Sequence, residues 1–362
     1  MNPTLLAADV TVAAVAHVPL TRDGEPHASA TLGTMKRAAC IIVAVAVVGC
    51  GNKPSDTQHD GSGNHVASDD NKDEPKDSPP PPTVKPSGKG DCKTEYAPRP
   101  KRDPNPMCKV AGGTFVMTEP DYKQNPPSMT VTLSPYLIDQ FEVTVAQVVH
   151  YLNATHEADG FHIGSAGEDR KNNAVFIHKL SDGSFKADPG TERFPVDNTR
   201  REAAMRYCAW AGKELPTEPQ WEFAARHDPA SGKNFLYPWG DEFDGKRARC
   251  GHDLCSDGPN NYEPVPVGTF DGTNGHADGS SPWGLYDMAG NAEEAVADCW
   301  YDYKPCNGGP CVDPPAHVKQ QNQDDCGGIS RGGAAVEGEL QLRSTNRKFY
   351  DPDGFRCAKR SH

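Results

Sequence analysis

The chain has 362 residues, enough for two average domains or one large one. Hydrophobic residues make up 36% and charged residues 24%, with 35 Gly and 33 Pro, too few apolar side chains and too many turn formers for a chain packed throughout. The net charge of −13 comes without any basic cluster, which argues against nucleic acid as a partner, and no apolar run reaches the roughly 18 residues that would cross a bilayer. Twelve cysteines point to an oxidising compartment.

The leading part reads as an export leader. Met35-Lys36-Arg37 is followed by an apolar stretch, Ala38 to Gly49, too short to span a bilayer and suited to a signal-peptide core after a basic start. It ends in Val47-Val48-Gly49-Cys50, similar to the lipobox of bacterial lipoprotein precursors, in which the cysteine is lipidated and becomes the mature N-terminus. Cys50 is therefore expected to carry the lipid; a short buried helix ending in Cys is the plainer alternative. Residues 35–50 then form the signal peptide. Residues 1–34, with Asp9, Asp23, Glu25 and His27 ahead of the basic start, read as an upstream extension from a misassigned start codon.

Residues 51–90 hold only Val66, Ala67 and Val84 as aliphatic side chains, together with the run Pro79 to Pro82. Such a segment cannot bury enough surface to offset its ordering entropy. It reads as a disordered tether, with a reach of about 35 Å as a flexible chain.

Residues 91–362 form the folded domain. The runs Thr114–Met117, Met129–Leu133 and Tyr136–Asp139 are strand-like. Thr144-Val-Ala-Gln147, Thr199-Arg-Arg-Glu202 and Thr217-Glu-Pro-Gln220 each set a hydroxyl three residues before Glu or Gln, the capping-box arrangement of a helix start. The apolar faces that follow are Val148, Tyr151 and Leu152 in the first, Ala204, Tyr207, Cys208 and Ala211 in the second, and Trp221, Ala224 and Ala225 in the third. Helices among short strands and long connections predict an α+β, loop-rich fold.

The run Gly112-Gly113-Thr114-Phe115-Val116-Met117, then Tyr136-Leu-Ile-Asp139-Gln-Phe-Glu142-Val-Thr144, resembles the opening of the sulfatase-modifying-factor, or formylglycine-generating-enzyme, family. Tyr207-Cys208-Ala-Trp210-Ala-Gly212-Lys213-Glu-Leu215-Pro216-Thr217-Glu218, Trp221-Glu222-Phe-Ala224-Ala-Arg226 and Tyr237-Pro238-Trp239-Gly240-Asp241 follow that family's pattern in order. So do Gly284-Leu285-Tyr286-Asp287-Met288-Ala289-Gly290-Asn291, Arg331-Gly332-Gly333 and Gly354-Phe355-Arg356-Cys357. The resemblance implies a formylglycine-generating-enzyme-like fold, related to C-type lectins, over about residues 110–358.

In that family two cysteines after the Arg-Gly-Gly motif hold copper and oxidise a substrate cysteine. Here the interval from Gly327 to Arg356 contains no cysteine, and the family's Ser after the paired glycines is Ala334. Soft thiolates suit Cu(I), and Glu337 and Glu339 do not replace them. Copper is therefore not expected. The family's calcium site would fall on the Asp287 side chain, the Gly290 and Ala292 carbonyls and the Glu294 carboxylate, hard oxygen donors on a folded-back loop. A Gly-Asn turn with a solvated acid is the alternative. Tryptophans usual in the family are replaced by Glu293 and Ala295.

The resemblance implies a Cys208–Cys357 disulfide. Spacing alone suggests Cys92 with Cys108, Cys250 with Cys255 and Cys306 with Cys311, leaving Cys299 and Cys326; a soft-metal site at Cys250-Gly-His252-Asp-Leu-Cys255 stays open as a second reading. Trp210, Trp221 and Trp239 are expected in the core, and Asp271 to Ser281 as a solvated loop. The sequence thus favours a lipid-anchored, non-catalytic binding or scaffold protein of the bacterial envelope whose partner is a protein, peptide or glycan. A formylglycine-generating oxidase with a rebuilt site is the alternative.

Overall fold

Alternation of side chains along short strands builds four small sheets. The computed structural model describes residues 85, 88–118, 128–165, 175–251, 255, 263–304, 306, 309–317, 327–349 and 354–360; the leader, Cys50, most of the tether and Cys326 lie outside them. The first sheet has the order β1 (Cys92–Lys93), β2 (Met107–Val110), β5 (Tyr136–Asp139) and β14 (Ala358–Arg360), all antiparallel, so it pairs the beginning of the domain with its end. The second joins β3 (Gly113–Thr118) and β4 (Ser128–Leu133) antiparallel, with β10 (Cys311–Val312) parallel to β4. Phe115 and Met117 point inward from β3 and Met129, Val131 and Leu133 from β4, the period-two pattern of a half-buried sheet.

A further sheet, β6 (Gly164–Ser165), β7 (Ile177–Lys179) and β8 (Phe185–Ala187), packs on the first helix. The sheet that carries the site has the order β12 (Arg347–Phe349), β11 (Gly328–Arg331), β9 (Glu294–Cys299) and β13 (Gly354–Phe355). Its β11–β9 register shifts between Gly328 and Ser330.

Helix α1 (Val145–Thr155) and helix α3 (Glu218–Arg226) begin with the capping boxes read from the sequence, Thr144 with Gln147 and Thr217 with Gln220. Helix α2 (Arg201–Trp210) departs from the expectation. Its N-cap is Arg200, with no side-chain cap, and the Thr199 hydroxyl is buried without a hydrogen bond. The Arg200 N–H is bonded to the Gly160 carbonyl at 2.8 Å, and the helix starts one residue late, so Glu202 is not three residues past the cap. The expected apolar faces of all three helices are buried.

Two apolar clusters hold these layers. Trp221 and Phe223 of α3 pack among Phe115, Val131, Tyr136 and Ile138 of the sheets, while α1 and α2 meet through Val148, Tyr151, Tyr207 and Phe355. Trp221 is wholly buried, but Trp210 and Trp239 are half-buried, a correction to their core assignment. Both carry polar partners at the surface: the Arg102 guanidinium lies 5.6 Å from the Trp210 ring, and the Trp239 N–H donates to the Glu242 carbonyl.

Cys208 and Cys357 are joined, tying α2 to the residue just before β14 across 149 residues, a closure of about 5 kcal/mol in the chain-entropy model. Cys92–Cys108, Cys250–Cys255 and Cys306–Cys311 are also disulfides, and Cys299 is disulfide-bonded. The bond between Cys250 and Cys255 replaces the soft-metal reading, because oxidised sulfurs are not thiolate ligands.

Candidate functional site

The segment Gly284 to Asn291 enters β9 through several left-handed residues, including Asp287 and Asn291 at φ 60° and 67°. Such conformations persist only where the surroundings over-determine them. Here the Asn291 backbone N–H donates to the Arg249 carbonyl at 2.9 Å and the Ala335 N–H to the Asn291 carbonyl at 3.0 Å. The Asn291 side chain accepts from the Val265 N–H at 2.9 Å and donates to Glu142 at 2.6 Å. Position 290 must be glycine, since its φ is 78° and a Cβ would collide with the Arg249 carbonyl.

This loop gathers three buried carboxylates. Glu294 accepts two bonds from the Arg356 guanidinium, at 2.6 and 2.7 Å, and one from the Trp221 indole N–H at 2.9 Å. Asp287 accepts from the Gly268 N–H at 2.7 Å, and Glu142 accepts from the Ala292 N–H at 2.9 Å. Arg356 also donates to the Tyr286 carbonyl at 2.8 Å, which fixes its fork. Burial, with help from the charge of Glu294, pushes Asp287 up to about 6. Burial and the charges of Asp287 and Glu294 push Glu142 well above the ordinary carboxylate range.

The four sequence-derived calcium positions are thus on one turn, two of them as interacting carboxylates. Among the described residues no donor reaches the Gly290 or Ala292 carbonyl. The donors at the four positions are all oxygens, the type that suits Ca²⁺, but both Glu294 oxygens are already engaged by Arg356 and Trp221. The sequence reading missed Glu142 and Arg356. Their signal was their place inside the motifs of Glu142-Val-Thr144 and Gly354-Phe355-Arg356-Cys357.

The region after Arg331-Gly332-Gly333 is built differently. Arg331 is fully buried, bonds to Glu222, and donates to the Ser344, Thr345 and Asn346 carbonyls, which pins that loop. Arg347 bonds Glu218 at 2.9 Å. Beside them the Lys348 ammonium lies between the Glu293 and Glu337 carboxylates. The Ser330 hydroxyl donates to Glu293 at 2.8 Å and the Ala334 N–H to Glu337 at 3.1 Å. Glu339 accepts from the Tyr237 hydroxyl at 3.1 Å. The segment therefore presents an ammonium and carboxylates and no sulfur, and all nine described cysteines are disulfide-bonded.

Among the described residues one group of side chains has the proximity of metal ligands, and it lies elsewhere: Asp103, Asp139 and Cys357. It is already occupied in another way. Lys213 Nζ stands 2.8 Å from Asp103 and 2.6 Å from Asp139, all three side chains inaccessible, and Cys357 is bonded to Cys208.

Residues 93–361 match the family described as sulfatase-modifying factor enzyme 1-like domain. The formylglycine-generating enzyme of Thermomonospora curvata is 30% identical over 240 residues, 56% of this chain and 75% of that protein. The inactive C-alpha-formylglycine-generating enzyme 2 of Bos taurus is 31% identical over 222 residues, 53% of this chain and 70% of that protein. The serine/threonine-protein kinase Pkn1 of Chlamydia trachomatis is 29% identical over 270 residues, 70% of this chain but only 38% of the kinase. The match over residues 93–361 places this chain in the sulfatase-modifying factor enzyme 1-like, or formylglycine-generating-enzyme-like, family.

Proposed function

We propose that this chain is a non-catalytic binding member of its family, anchored at a bacterial envelope membrane through lipid on Cys50, with Ca²⁺ held structurally by Asp287, Gly290, Ala292 and Glu294. The observation that carries the reading is chemical. Where the family places a thiolate pair, the stretch after Arg331-Gly332-Gly333 holds Lys348 between Glu293 and Glu337. An ammonium repels a copper ion, and carboxylates are poor ligands for Cu(I). The described cysteines are consumed in disulfides, so none of them supplies a free thiolate.

Calcium has a separate, structural part in the proposal. It would offset the excess carboxylate charge around Glu142 and hold the left-handed turn that feeds β9, leaving the loops after β11 to make contacts. The deciding test of the non-catalytic reading uses the purified chain with copper, oxygen and a Cys-x-Pro-x-Arg peptide. The peptide mass is expected to stay unchanged. Aldehyde formation above a control without protein would overturn the reading in favour of an oxidase with a rebuilt site.

A further inference from the structure

The four disulfides joining described cysteines differ in how their sulfurs are presented, and one has the asymmetry of an exchanging pair. Among the nine described cysteines Cys306 is the only exposed one, and its partner Cys311 is buried in the main apolar cluster. We infer that Cys306–Cys311 is a thiol-exchange site, with Sγ of Cys306 as the atom attacked. This goes beyond the binding role and does not depend on it.

A second pair in the same chain supplies the internal control. Cys250–Cys255 has the same sequence separation of 5, yet both of its cysteines are buried. Ring size therefore cannot distinguish the two, and access does. Cys208–Cys357, buried at both ends, closes 149 residues and is retained by chain entropy as well.

The surroundings of the pair also differ between its two ends. Cys311 is held by β10, which pairs with β4 in the register Cys311 to Val131 and Val312 to Thr132. Just beyond it the Asp313 N–H donates to the Thr132 carbonyl at 2.8 Å, and the Asp313 carboxylate accepts from the Ser134 N–H at 2.7 Å and the Ser134 hydroxyl at 2.6 Å. Cys306 sits outside the strands, with an isolated bridge to Gly309, in the sequence Cys306-Asn-Gly-Gly-Pro-Cys311. Opening the bond releases the exposed side and leaves the buried side in place.

The step is a two-electron exchange. A thiolate attacks Sγ of Cys306, a new S–S bond forms there, and the bond to Cys311 breaks. The Cys311 sulfur leaves with the electron pair and takes a proton from water. A second thiolate then attacks the external sulfur of the mixed disulfide, leaving Cys306 and Cys311 reduced and two external thiols oxidised to one disulfide. The ligand class is an exposed thiol, on a small molecule or a protein; reduced glutathione serves as the probe.

The full chain is treated with graded reduced glutathione, quenched by alkylation and mapped by peptide mass. The expected result is a glutathione adduct on Cys306 and an alkylated Cys311, formed about tenfold faster than Cys250–Cys255 opens. A Cys311→Ser variant, given oxidised glutathione, is expected to form a mixed disulfide at Cys306 with release of one reduced glutathione and to keep it unresolved, with a lowered melting temperature because Cys311 is buried in the apolar cluster. Opening no faster than Cys250–Cys255, or adducts on Cys311 in place of Cys306, overturns the inference. Should Cys311→Ser fail to fold, the rate comparison in the unaltered chain decides alone.

Discussion

Glu293 and Glu294 stand side by side at the start of β9, yet their carboxylates meet different partners. Glu294 is wholly buried and locked to the Arg356 fork and the Trp221 indole, with Glu142 and Asp287 nearby as further buried acids. Glu293 turns to Lys348 and the Ser330 hydroxyl, and the other partner of Lys348, Glu337, is partly exposed. Both clusters set carboxylates around a cation. Burial makes Glu294 depend on the Arg356 guanidinium, whereas in the second Glu337 is partly exposed and Glu293 has the Ser330 hydroxyl as well as Lys348. Alternation of side chains along a strand thus sends adjacent identical residues into a rigid charge centre and a softer one.

The sharpest way to break that comparison is to remove Arg356. Arg356→Leu leaves Glu294 buried beside other acids with no cation, and urea unfolding should report a loss of about 3–5 kcal/mol or no folded protein. A loss under about 1 kcal/mol would mean the cluster is solvated after all.

Asp139 sharpens it through pH. Burial, opposed by Lys213 and assisted by Asp103, raises its carboxyl from 3.8 to about 7. A raised carboxylate binds its proton more tightly in the folded state, so its stabilising contribution is full below 3.8 and is lost as pH rises through about 7. Relative to the parent, Asp139→Asn should therefore gain stability across that window, by at most about 1.4 kcal/mol per pH unit. Melts at a series of pH values check it; a constant difference would contradict it.

Calcium removal follows in size. A ligand at a hundredfold excess over its dissociation constant stabilises by about 2.7 kcal/mol, so chelation should lower the melting temperature of the parent and leave Asp287→Asn unmoved. An identical parent melt before and after verified metal removal would sink the site. Smallest is Lys348→Met, expected to cost about 1 kcal/mol because Glu337 is partly exposed and the buried Glu293 keeps its bond from the Ser330 hydroxyl; a cost equal to that of Arg356→Leu would erase the distinction between the two centres.

Much of the fold was legible because local physics repeats. The strand runs at Thr114, Met129 and Tyr136 alternate by two, and the boxes at Thr144 and Thr217 satisfy orphan helix amides wherever they occur. Thr199 met the same rule and failed, because the Gly160 carbonyl takes the Arg200 N–H and delays the helix. The half-buried state of Trp239 was equally illegible, since residue type does not say which face solvent reaches.

By itself the sequence determined the α+β class and the absence of cysteine from Gly327 to Arg356. Tertiary structure alone decided that Glu142 and Arg356 meet the turn from Asp287 to Glu294. It also decided that Lys348 enters between Glu293 and Glu337 and that Cys306 is exposed while Cys311 is buried. The physical reason is range. Capping and strand alternation act within a few residues, whereas charge compensation and burial depend on groups such as Glu142 and Asn291, 149 residues apart in the chain and 2.6 Å apart in the fold.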